Sequence, residues 1–117
     1  MTTEEVMSVV YRDGRLTVSL TGEVDHHSAK PLREQLDHQL YLHRPRELVL
    51  ALEGVSFMDS SGLGLILGRL AVCRHFACPM YLIGADERML RIFRMAGLSR
   101  IEGLSIEGLA RDGGNRK

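Results

Sequence analysis

Residues 47–52 read Glu-Leu-Val-Leu-Ala-Leu, and this short apolar run constrains the fold more than any other part of the chain. Side chains alternate across a strand, so successive apolar residues make both of its faces dry. A strand of that kind belongs inside a parallel sheet, and parallel neighbours need a crossover, usually a helix. Residues 63–75 supply one that is apolar nearly all round and is therefore expected to pack across the sheet.

The flanking segments fit that frame. Residues 6–11 and 16–20 are short runs on either side of Arg12-Asp13-Gly14-Arg15. Asp-Gly accepts positive φ easily, which predicts a hairpin turn. Leu16, Val18 and Leu20 alternate with Thr17, Ser19 and Thr21, giving one dry face and one wet. After Gly22-Glu23-Val24-Asp25 comes a helix with Ala29, Leu32, Leu36 and Leu40 on one side. Asp25 or Ser28 caps it, Pro31 is expected in its first turn, and Pro45 ends it. Residues 53–61 read as a loop that finishes in helix-start chemistry. A second buried strand is predicted at 79–83. A third helix follows at 87–96, with Leu90, Phe93 and Met89 inward and Gly97 closing it. A last strand is placed at 100–104. The expectation is one α/β domain over residues 7–110, a mixed sheet with right-handed parallel crossovers packed by helices. Residues 1–6 and 111–117 are expected to be mobile ends.

Composition removes several function classes. Fifteen Lys and Arg balance fifteen Asp and Glu, so the basic surplus that phosphate contacts require is missing and nucleic-acid binding is disfavoured. Met1-Thr2-Thr3-Glu4-Glu5 is acidic and polar, unlike a secretory signal. The longest apolar stretch, 63–72, contains Arg69 and falls far short of the ~20 residues of a membrane span. A cytoplasmic monomer with no membrane contact is expected. Cys73 and Cys78 match neither a Cys-x-x-Cys redox motif nor a zinc pair, and read as two buried reduced thiols. Neither Asp25-His26-His27 nor the pair His38 and His43 shares a helix face, so no metal site is assigned.

The strongest local signal is Asp59-Ser60-Ser61-Gly62, between a buried strand and an apolar helix. Such a loop lies at the carboxyl edge of the sheet, where α/β folds keep their sites. One polar residue suffices to cap a helix, and three in a row leave a hydroxyl to spare. A serine at a helix N-terminus faces solvent and accepts a phosphate whose charge the helix dipole tolerates. The glycines of Gly62-Leu63-Gly64-Leu65-Ile66-Leu67-Gly68 have one residue too many for a dinucleotide fingerprint. Gly64 and Gly68 are instead assigned to close packing of the helix on the sheet. No phosphate-binding Gly-x-x-x-x-Gly-Lys loop exists, so no cofactor is assigned. A hydrolase elbow would need glycines two before and two after its serine, where Ser60 has Met58 and Ser61 has Asp59 before it.

The segments Leu20-Thr21-Gly22-Glu23-Val24-Asp25-His26-His27-Ser28-Ala29 and Ser56-Phe57-Met58-Asp59-Ser60-Ser61-Gly62-Leu63-Gly64 resemble the anti-sigma-factor antagonists of the STAS family. The sporulation branch, which antagonises anti-sigma-F factors, is the nearest likeness. Phe93-Arg94-Met95-Ala96-Gly97-Leu98 is also similar to that family's third-helix end, so the resemblance covers about residues 16–101. It implies a non-enzymatic partner switch. The unmodified protein binds an anti-sigma factor that is also a serine kinase and frees the sigma factor. Phosphorylation of the serine after the loop aspartate, here Ser60, turns it off, and a serine phosphatase restores it. Asp25, Asp59, Ser60, Ser61 and Gly62 would form the partner surface. The sequence departs from its relatives at Ile106-Glu107-Gly108-Leu109-Ala110, too short and glycine-broken for their last amphipathic helix. Two rival readings remain. One is a STAS interaction module of a signalling or transport complex that is never phosphorylated. The other is a small serine hydrolase.

Overall fold

The computed structural model describes residues 7–108. Strand β1 (Met7–Arg12) turns at Asp13-Gly14, both at positive φ (52° and 83°), into β2 (Arg15–Val24). Helix α1 (His26–His43), β3 (Glu47–Met58), α2 (Ser60–His75), β4 (Met80–Ala85) and α3 (Glu87–Met95) follow. A 3-10 turn at Leu98–Arg100 then leads to β5 (Leu104–Gly108). The five strands lie side by side in chain order. β1 and β2 are antiparallel, and every later pair is parallel. This is the expected mixed sheet.

Leu32, Leu36 and Leu40 of α1, Leu65, Ile66 and Leu70 of α2, and Met89 and Phe93 of α3 share one core. From the sheet that core takes Leu16, Val18 and Leu20, then Leu48, Leu50 and Leu52, then Met80 and Leu82. These strand residues alternate, so they define a single face. Val49 and Ala51 point the other way and are buried as well, outside the helix-facing cluster. In register, Val49 is flanked by Thr17 and Tyr81. The dry second face of β3 is therefore flanked by its sheet neighbours.

Four expectations need correction. β3 does not stop at Leu52: Glu53 and Gly54 are exposed, yet parallel pairing with β2 continues through two register shifts to Met58. Backbone bonds carry the strand past the point where its apolar pattern ends. Pro31 lies in the second turn of α1, where it denies the His27 carbonyl its helical donor. Both residues are exposed, so water can serve that carbonyl. The last strand begins at Leu104, because Leu98–Arg100 first makes the 3-10 turn after Gly97 (φ 80°). Finally, a Cβ on Gly64 or Gly68 would meet nothing within 4 Å, so neither packs on the sheet. Ile106-Glu107-Gly108 belongs to β5, whereas Leu109, Ala110 and both expected mobile ends lie outside the described residues.

Candidate functional site

The ends of β2 and β3 build the site. Val24 and Met58 are register partners, and the Asp59 amide donates to the Val24 carbonyl at 3.4 Å. Asp25 and Asp59 therefore leave the sheet side by side, each as the N-cap of the helix that follows. Both residues keep extended backbone (φ −131° and −116°), the conformation that turns a cap carboxylate toward the first free amides.

Asp25 and Ser28, alternatives in the sequence, work together. Asp25 Oδ1 accepts from the amides of His27 at 2.9 Å and Ser28 at 3.1 Å. Ser28 Oγ accepts from the Asp25 amide at 3.0 Å and donates to the Glu23 carbonyl at 2.8 Å. The Ser28 amide above all holds the Asp25 carboxyl below the usual range. Desolvation works against it, and the His27 amide and imidazole add to it. His26 and His27 are exposed, their rings 5.3 Å apart in an edge-on contact. Among the described residues, no three His, Cys, Asp or Glu side chains gather as a metal site.

At α2 the cap is lighter. Asp59 Oδ1 accepts from the Ser61 amide at 2.8 Å. Ser60, the first residue of the helix, is exposed, and Ser61 is half-buried. Gly62 is buried: a Cβ there would collide with Met58 Cγ and lie 3.2 Å from Val24 Cγ1. The close-packed glycine of this helix is thus Gly62. Its neighbours along the helix, Leu65, Ile66, Arg69, Leu70 and Cys73, repeat at three- and four-residue intervals and are all buried. That spacing was readable in the sequence and would have assigned Gly64 and Gly68 to the outer side.

The five predicted site residues thus occupy one edge. Among the described residues, no hydrogen bond joins the Ser60 or Ser61 hydroxyl to a histidine, the contact a hydrolase would need for proton transfer. An open depression of about 500 Å³, lined by Arg12, Arg15, Arg46 and Glu47 among others, lies at the opposite end of β2 and β3. Sequence reasoning missed Arg69, which is 6% exposed inside the α1–α2 contact. Its Nε lies 2.8 Å from Asp37 Oδ1, an ion pair not aligned as a hydrogen bond, and its Nη1 is buried without a partner.

The STAS domain family matches residues 6–107, nearly the whole described chain. The chain belongs to the STAS family. Within it, this STAS domain is 38% identical over 88 residues to the anti-sigma F factor antagonist of Paenibacillus polymyxa, covering 75% of each chain. It is 31% identical over 101 residues to the anti-sigma-B factor antagonist of Bacillus subtilis (strain 168), covering 86% of this chain and 91% of that one. A solved structure of the Bacillus cell fate determinant SpoIIAA in the phosphorylated form superposes with a TM-score of 0.67 at 26% identity. That match covers 86% of this STAS domain and 89% of SpoIIAA. The family and the α/β fold expected from the sequence are both borne out.

Proposed function

We propose that this STAS domain is a cytoplasmic, monomeric anti-sigma factor antagonist that phosphorylation of Ser60 switches off. The observation that carries the reading is the exposed Ser60 hydroxyl on the first residue of α2, directly after the capping Asp59 and beside the Asp25 cap. A kinase can reach that hydroxyl without unfolding anything. The phosphate would sit at a helix N-terminus, whose dipole tolerates it, so the modified domain stays folded. Its charge of about −1.5 to −2 joins two carboxylates on one small surface. A partner that presents a bound nucleotide or its own carboxylates there would then be repelled, and a loss of ~3 kcal/mol weakens binding more than a hundredfold. The partners are an anti-sigma factor with serine kinase activity and a serine phosphatase that removes the group. The relatives named for sigma F and sigma B antagonism support the class, and the likeness to the sporulation branch favours sporulation as the process.

The experiment is a kinase reaction with the anti-sigma factor of the same organism and ATP, read by fragment mass mapping and a pull-down. Ser60→Ala should take no phosphate and still bind, Ser61→Ala should be phosphorylated on Ser60, and Ser60→Asp should bind more weakly. Phosphate on Ser61 of the Ser60→Ala variant would refute the site, and full binding by the phosphorylated protein would refute the switch. A chain that binds but takes no phosphate is the unphosphorylated interaction module. Covalent labelling by a serine-reactive phosphonate would favour a hydrolase.

A further inference from the structure

Helix α2 ends in a doubly bonded turn: the Ala77 amide donates to the Arg74 carbonyl at 3.2 Å and the Cys78 amide to the Cys73 carbonyl at 2.9 Å. Ala77 sits between them at φ 55°, a left-handed conformation usually left to glycine. This turn folds the chain back so that the residues at its two ends touch, ordinarily through apolar side chains. Here those residues are Cys73 and Cys78, both buried and both reduced. The Cys78 thiol donates to the Pro79 carbonyl at 3.7 Å.

We propose that Cys73 and Cys78 are a redox-modification site that closes an internal disulfide when the folded protein meets a peroxide. The pair is placed by the two backbone hydrogen bonds of one turn, which hold the two residues against each other. A buried cation attends it. Arg69 lies one turn before Cys73 on the same face, with Nη1 unpartnered, and its charge favours the thiolate there. That charge serves Cys73 as the resolving sulfur, whose thiolate is the form that attacks. The hydrogen bond from Cys73 pulls the Cys78 thiol below its ordinary range, while burial and the Glu47 carboxylate push it up. That same bond, together with burial, pushes Cys73 well up. The downward direction at Cys78, together with its place at the exposed turn, assigns Cys78 as the attacking sulfur. It lies between exposed Ala77 and Pro79, so a small opening of the strained turn admits a peroxide.

The steps balance. Deprotonated Cys78 attacks one peroxide oxygen, the O–O bond breaks, and hydroxide leaves with the proton that Cys78 gave up, as water. Cys78 is now a sulfenic acid. The Cys73 sulfur attacks it, the S–O bond breaks, and the hydroxyl leaves with the Cys73 proton as a second water. Two thiols have lost two electrons and two protons, and the peroxide has been reduced to two waters.

The inference stands independently of the switch at Ser60. The test treats the folded chain with hydrogen peroxide, blocks remaining thiols with an alkylating reagent, and digests without reduction using a protease that cuts after arginine. Arg74 lies between the two cysteines, so residues 70–74 and 75–88 stay together only through a disulfide. The expected result is that linked pair, about 2 Da lighter than its separate thiol peptides and released by a dithiol reductant. The sulfenic acid should be trapped on Cys78 of Cys73→Ala, whereas Cys73 of Cys78→Ala should stay reduced about tenfold longer. Both cysteines still alkylated after treatment, a sulfinic acid in place of the link, or a bridge between two chains would overturn the proposal. If Cys73→Ala fails to fold, Cys73→Val restores the apolar contact, and the wild-type peptide map decides on its own.

Discussion

Helices α1 and α2 begin in almost the same way and are finished differently. Each follows a neighbouring parallel strand, each is capped by an aspartate, and the two caps lie side by side. At α1 the third helical residue is Ser28, which returns a hydrogen bond to the Asp25 backbone and anchors itself on Glu23. At α2 the third residue is Gly62, which has no side chain to return and lets Met58 and Val24 close over it. The first start is saturated. The second keeps its serine hydroxyls outside the capping bonds, and the more exposed of them is the one proposed to carry phosphate. The proposed modification at this edge would use what the second cap leaves undone.

The largest expected effect breaks the glycine's half of the contrast. Gly62→Val forces Met58 and Val24 apart and should cost about 1–3 kcal/mol, read as a lower midpoint in urea. An unchanged midpoint would mean that the seat under α2 is looser than its geometry. Next, removing each cap should separate the two helix starts. Asp59→Ala gives up a single side-chain bond, about 1 kcal/mol, and Asp25→Ala should lower the melting temperature further because two amides, of His27 and Ser28, lose their partner. Equal losses would erase the difference between saturated and light caps.

Acid sharpens the same point. The Asp25 carboxyl titrates below the usual range when folded, so its contribution is present above the unfolded value and fades as pH falls through the folded one. Melting curves of wild type and Asp25→Asn, which keeps a capping oxygen but cannot ionise, should therefore converge in acid. A gap that widens toward low pH contradicts that sign. The smallest effect is a gain. Gly68→Ala meets open space in mid-helix and should raise stability by about 0.5–1 kcal/mol. A loss there would restore the close-packing role first assigned to it.

The sequence made the order of elements plain because hydropathy changes period at every boundary, from alternation in Leu16, Val18 and Leu20 to helical spacing in Leu32, Leu36 and Leu40. It hid the second half of β3, since Glu53 and Gly54 interrupt the apolar pattern while backbone pairing continues. Arg69 was hidden for a related reason. A charge in an apolar helix reads as the wet side until Asp37 is found facing it across α1. The site itself was legible because Asp59, Ser60 and Ser61 are adjacent in the chain. That Asp25 stands beside them depends on parallel register, which no local motif encodes.

Strand order in space repeats strand order in the chain, from β1 to β5. Each new strand therefore finds its neighbour already in place as synthesis proceeds, and no earlier pair must reopen to admit a later one. The edge bearing Asp25 and Ser60 draws only on β2, α1, β3 and α2, all earlier in the chain than β4 and β5.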